Sequence, residues 1–137
     1  VGFTTFAAFV AGLTALSPTG VRTKFDAPPN QPLTTGALPA MYPGLPSGTG
    51  ELGTLTGGVE LATVQCDLIV VIQPIAQRSN DRNYAAALAM MDDLNAALED
   101  AVNSLGLDGW NIRVEEIWHD GVETGYWAVI ATVRASG

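Results

Sequence analysis

Val59-Glu-Leu-Ala-Thr-Val-Gln-Cys-Asp-Leu-Ile-Val-Val-Ile-Gln-Pro74 is the stretch on which the fold turns. From Ala62 every even position is apolar: Ala62, Val64, Cys66, Leu68, Val70 and Ile72. That period of two predicts a strand with one face on a core. The odd positions begin polar, with Thr63, Gln65 and Asp67, and turn apolar at Ile69 and Val71. The first half is therefore expected to have one dry face and the second half two. Pro74 has no N–H to donate and ends the strand.

A long helix is predicted next, reaching Leu105. Ser79, Asn80 or Asp81 can cap its first turn. Tyr84, Leu88, Met91, Leu94, Leu98, Val102 and Leu105 recur at helical spacing, while Asp81, Asp92, Asp93, Glu99 and Asp100 fall off that stripe. Gly106 stops the helix, with Leu107 placed to pack back on the last turn. A helix of this length needs a sheet to lie on.

The rest of the chain supplies one. Residues 3–16 read as a first helix, with Phe3, Phe6, Val10, Leu13 and Leu16 at helical spacing, Phe9 nearby and Thr4 or Thr5 as cap. Ser17-Pro18-Thr19-Gly20 is a stop. Val21-Arg-Thr-Lys-Phe25 alternates and predicts a short strand near an edge, where Lys24 discourages unwanted pairing. Residues 26–58 carry Pro28, Pro29, Pro32, Pro39, Pro43 and Pro46 together with seven glycines, so no periodic run survives. Leu33, Leu38, Met41, Tyr42, Leu45, Leu52 and Leu55 in this loop need cover. They either close one edge of the sheet or order on a neighbouring subunit. Beyond the long helix, Trp110 to Trp118 alternates until Glu116, where either a bulge or the strand's departure from the core is expected. Asp120-Gly121 marks a hairpin turn. Tyr126 to Arg134 is the last strand, with Trp127, Val129, Ala131 and Val133 on its core face. The expectation is one α+β domain spanning 1–137. It has a four-stranded, largely antiparallel sheet with two helices on one face, in the order α-β-long loop-β-α-β-β.

With six Lys+Arg against fourteen Asp+Glu, the net charge is −8. That argues against a binder of duplex nucleic acid, which needs clustered cations. The single cysteine lies on the core face of the strand and reads as a buried structural thiol, consistent with a reducing compartment. No apolar run approaches the roughly 20 residues that span a bilayer. The first residues lack the basic leader of a secretory signal. The chain opens on Val1, so an initiator Met is expected to have been removed or to precede the numbering.

Catalysis is not expected. His119 is the only histidine and falls in the hairpin loop, with Asp120 and Glu123 near it. Asp92-Asp93 and Glu99-Asp100 are neighbours on a helix, so the members of each pair do not face each other. Gly48-Thr-Gly-Glu-Leu-Gly53 lacks the strand before and the helix after that a phosphate cradle needs. No cofactor or metal site is expected. The unusual feature is the second sheet face. Ile69, Val71, Tyr126, Ala128, Ile130 and Ile117 make it partly apolar, and Arg22, Lys24, Asp67, Arg113, Glu115 and Arg134 share it. Such a mixture suits a subunit interface. The candidates are Ile69, Val71, Ile130, Arg22, Lys24, Arg113, Leu38 and Tyr42. Ile69 and Val71 are expected to serve assembly more than folding.

The chain resembles the tail terminator proteins of long-tailed bacteriophages, also called minor tail or tail-completion proteins. The resemblance runs in order over nearly the whole chain. It takes in the leading helix and Val21-Arg-Thr-Lys-Phe-Asp-Ala-Pro-Pro29, Leu38-Pro-Ala-Met-Tyr-Pro43, and Cys66-Asp-Leu-Ile-Val-Val-Ile-Gln-Pro74. It continues through Asn83-Tyr-Ala-Ala-Ala-Leu-Ala-Met-Met-Asp-Asp-Leu94 to Tyr126-Trp-Ala-Val-Ile130. It implies a structural virion protein, assembled in the host cytoplasm, that forms a ring, usually six-fold, at the head-proximal end of the tail tube. The ring ends tube polymerisation and binds the tube protein and the head-completion or connector protein. DNA passes through its pore without sequence recognition, and no membrane is involved. An acidic pore wall would keep DNA from sticking. Alternatives are another neck or connector component, the tube protein itself, a small acidic ligand-binding or hydrolase domain, or a cytosolic regulatory binding module.

Overall fold

A computed structural model of the chain describes residues 5–29, 35–52, 59–74, 80–118 and 125–136. Its elements are α1 (Phe6–Thr14), β1 (Thr23–Lys24), a 3-10 turn (Thr35–Ala37), β2 (Ala40–Pro43), β3 (Ser47–Leu52), β4 (Val59–Pro74), α2 (Asn80–Leu105), β5 (Leu107–Trp118) and β6 (Gly125–Ser136). The class is α+β. The sheet corrects the expectation in detail: it has six strands and is mixed.

β4 is its spine. On one side it pairs antiparallel with β6 from Thr63↔Ser136 to Pro74↔Tyr126, with a register shift between Val71 and Gln73. Its other side is shared: β3 pairs antiparallel with the first half and β2 with the second. β1 adds parallel to β2, and β5 adds antiparallel to β6. The order is β1-β2-β4-β6-β5, with β3 beside β4 off that path.

Two strands thus lie inside the segment expected to be an aperiodic loop. β2 is only four residues long, is wholly buried and follows a cis Leu38–Pro39 bond. It has no room to show a period. β3 is Ser-Gly-Thr-Gly-Glu-Leu, whose glycines hide any alternation. Gly48 is required there, because a Cβ would run into the Thr63 carbonyl on β4. The open bonding edge of β4 draws both segments in, since buried backbone groups must be paired. Leu38, Met41 and Tyr42 accordingly cover the sheet within the chain itself.

The main core lies between the sheet and both helices. Val64, Cys66, Leu68, Val70 and Ile72 of β4 meet Phe9 and Leu13 of α1 and Ala87, Met90, Leu94 and Leu98 of α2. Val129, Ala131, Val133 and Ala135 of β6 complete the cluster. Thr5 caps α1, its hydroxyl accepting from the Ala8 N–H at 3.1 Å. The buried side of α1 is Phe9 and Leu13, whereas Phe6 stays exposed. Gly106 ends α2 in the left-handed region, at φ 63°.

The inward face of α2 agrees with the expected stripe at Leu94 and Leu98, with Met91 and Leu105 partly buried against the core; elsewhere it departs, Ala101 rather than Val102 being buried. Tyr84 is 67% exposed and Leu88 44%, while Ala87 and Met90 point inward. A small side chain such as Ala87 allows close approach to the sheet, which the bulk of Leu88 would prevent. On β5 no register shift occurs at Glu116, which pairs with Trp127; the irregularity lies at Leu107/Gly109. Val114 and Glu116 are exposed because the strand runs out past the main core. Trp110 and Ile112 pack against that core, and the Trp110 indole donates to Asn95 Oδ1 at 2.9 Å. The Asp120-Gly121 turn and His119 lie outside the described residues, as does Phe3.

Leu98→Ala should cost about 2–5 kcal/mol in urea unfolding, because a fully buried leucine leaves a cavity. Leu88→Ala, on the same expected stripe but half-exposed, should cost well under half of that. Equal losses would contradict this packing.

Candidate functional site: the second sheet face

Antiparallel pairing puts directly opposite residues on the same face. Across the face turned away from the helices, four central rows carry most of the candidates. Gln65 and Arg134 form one. Asp67, Thr132 and Asn111 form the next. Tyr42, Ile69, Ile130 and Arg113 follow, then Ala40, Val71, Ala128 and Glu115. The face grades from polar at one end to apolar at the other.

The apolar end is a second, smaller cluster of Leu38, Ala40, Tyr42, Val71 and Tyr126, with Phe25, Ile69 and Ile117 packed against it. Val71 is 0% exposed. The expectation that Val71 serves assembly more than folding is therefore corrected: it is consumed by the chain's own packing. The reason is β2, which folds back along β4 and lays Ala40 opposite Val71 and Tyr42 opposite Ile69. Leu38, Tyr42 and Ile130 are buried as well, and burial pushes the Tyr42 phenol up. Of the apolar candidates, Ile69 alone keeps part of its surface open.

The middle of the face carries a polar ladder over three strands. Arg113 Nη1 donates to Thr132 Oγ1 at 2.8 Å, and Thr132 Oγ1 donates to Asp67 Oδ1 at 2.7 Å. Arg113 Nε donates to Glu115 Oε1 at 2.8 Å, while its Nη2 stands 3.8 Å from Asp67 Oδ2. The Arg113 and Asp67 side chains are each 40% exposed, so direct ion pairing contributes only about 0.2–1 kcal/mol. The ladder's effect is geometric: it holds β4, β6 and β5 in one register. Thr132 was missed in the sequence. The period of two in the last strand places it beside Arg134 and between Asp67 and Arg113, and that signal could have found it.

Arg22 and Lys24 lie apart from this ladder, at the β1 edge, and the expectation that Lys24 shares this face is corrected: it stands opposite Met41 of the helix-side core. Arg22 Nη1 donates to the Gly36 carbonyl at 3.0 Å. Lys24 Nζ donates to the Leu16 carbonyl at 3.2 Å and to Ser17 Oγ at 3.0 Å. The candidates thus fall into three places: the second cluster with its Ile69–Ile130 border, the ladder, and the β1 edge. An open groove of about 500 Å³ lies past Gln65, between Thr49, Thr63, Asp108 and Arg134. Another of about 520 Å³ runs along the outer side of α1.

Among the described residues no group of three or more His, Cys, Asp or Glu is placed to hold a metal. No described helix is long and apolar enough to cross a membrane. Cys66 is buried on the helix side, and its thiol donates to the Gly44 and Asp67 carbonyls at 3.4 Å each. Burial, aided by the Asp67 charge, pushes this thiol from 9.0 to about 11, against a smaller lowering by the Gly44 bond. No protein-family model matches the chain, and no curated protein does.

Val71→Asp should unfold the monomer, as judged by circular dichroism, whereas Ile69→Asp should leave a folded chain. A folded Val71→Asp would contradict the second cluster. Cys66 should resist a thiol reagent at about pH 8 until the chain is unfolded in urea, because only thiolate reacts. The raised thiol favours the fold fully below pH 9.0, and that contribution fades as pH rises through about 11.

Proposed function

We propose that this chain is a structural subunit of a ring at the head-proximal end of a bacteriophage tail tube. In this reading it ends tube growth, joins the tail to the head connector and lets DNA pass through its pore. The observation that carries the proposal is the one-sided sheet. Both helices pack against one face. The other presents the Asp67–Thr132–Arg113–Glu115 ladder beside Ile69. A half-polar face with ordered charges suits contacts between copies or with a tube end better than it suits chemistry on a small substrate. The order of elements and the sequence resemblance support the same reading. So does the net charge of −8, which disfavours sticking to DNA in a channel.

The test is assembly. Native mass spectrometry should find a closed oligomer of about six copies of the 14.3 kDa chain, alone or in the presence of tail tubes. Electron microscopy should show it at one tube end only, with Asp and Glu outnumbering Arg and Lys on the pore wall. A chain that remains monomeric and leaves tube ends bare overturns the proposal, and a basic pore wall overturns its electrostatic part.

A further inference from the structure

We infer that copies of this chain join edge to edge, the basic β1 edge of one seated against the acidic β5 edge of the next. The inference rests on the ring reading and names the surfaces that would build it.

The strand order places β1 and β5 at opposite ends of one sheet. Among the described residues, neither has a strand on its outer side. Their charges differ in sign, two cations standing against one exposed carboxylate, Asp26, at the β1 end. Arg22 and Lys24, two of the six cations of the chain, are exposed at the β1 end. Both donate only to neutral oxygens, from Gly36, Leu16 and Ser17, so no described carboxylate pairs with them. At the other end Glu115 and Glu116 are exposed on β5. Glu115 already shares Arg113, and the Glu116 carboxylate has no side-chain hydrogen bond or ion pair among the described residues.

The backbone directions agree with this. β1 runs parallel to β2, β2 antiparallel to β4, β4 antiparallel to β6 and β6 antiparallel to β5. β1 and β5 therefore run in opposite senses. A second copy that continues the sheet in the same orientation brings its β1 antiparallel to this β5. The Arg22 and Thr23 N–H groups both bond inward to the Pro39 carbonyl, and the Phe25 N–H bonds inward to the Met41 carbonyl. By alternation, the N–H and carbonyl of Lys24 turn outward to the free edge. β5 offers a complementary edge of twelve residues. Two different patches meet in this contact, so it propagates from copy to copy and closes into a ring when the rotation allows.

Charge reversal tests it. Arg22→Glu with Lys24→Glu makes the β1 edge acidic, and Glu115→Lys with Glu116→Lys makes the β5 edge basic. Each double variant alone should stay folded by circular dichroism and lose the assemblies that native mass spectrometry finds for the unaltered chain. Mixing the two at equal amounts should restore assemblies in which the variants alternate, because each junction is again between opposite charges. The chain carrying all four changes should assemble on its own. Ring-sized oligomers that survive both double variants would overturn this edge pairing and leave the ring reading standing. Variants that lose assembly and are not rescued by mixing overturn the pairing as well. An unaltered chain that stays monomeric, or stops at dimers, even with tail tubes present, overturns both.

Discussion

The structure depends on β4 being hydrogen-bonded along both edges while its two faces serve different purposes. Because side chains alternate with a period of two, a slip of one residue would exchange the faces. Val64, Cys66, Leu68 and Val70 would leave the helices, and Asp67 would enter the main core. Such a slip would bury a carboxylate in place of aliphatic groups. β6 guards the register along one edge, and β3 and β2 divide the other. The Arg113–Thr132–Asp67 ladder ties that register to β5.

The two faces are stabilised by different physics. Under the helices, burial of Leu, Val and Met side chains supplies the driving force, roughly 1.5–3 kcal/mol for each large side chain. On the other face, burial is confined to one end, where β2 and Tyr126 close over Val71. The remainder is held by hydrogen bonds among half-exposed groups, which contribute little net energy and much geometric definition. Most of the apolar surface on this face is thereby spent inside the chain. What is left for a neighbour is Ile69, the charged ladder and the outer strand edges. An assembly built on such surfaces would be steered by charge and by backbone bonding more than by apolar area.

Local periodicity explains why part of this architecture was legible from residues alone. β4 was expected over Val59 to Pro74 and occupies those residues; α2 ends at Leu105 as expected, with Gly106 in the left-handed region. β5 and β6 alternate where alternation was read, although each begins before the stretch first quoted for it and β6 also runs past its expected end. In each case a long element repeats one pattern often enough for the pattern to stand out. The polar members of the second face were legible for the same reason, since Asp67, Arg113 and Glu115 follow from counting by twos.

The elements that escaped reading are those whose conformation is set by a distant partner. β2 and β3 are strands because β4 presents an unpaired edge to them, and nothing within their own proline- and glycine-rich sequence dictates it. The inward turn of Ala87 and Met90, with Tyr84 and Leu88 left outside, follows from how closely α2 approaches the sheet. Val71 looked available because its cover, Ala40 and Leu38, is about thirty residues away in the chain and adjacent only after folding. Pattern within the chain thus specified the spine, its long helix and the polarity of each face. The occupancy of the second face was decided by contacts between segments far apart in sequence, because burial belongs to the folded chain as a whole.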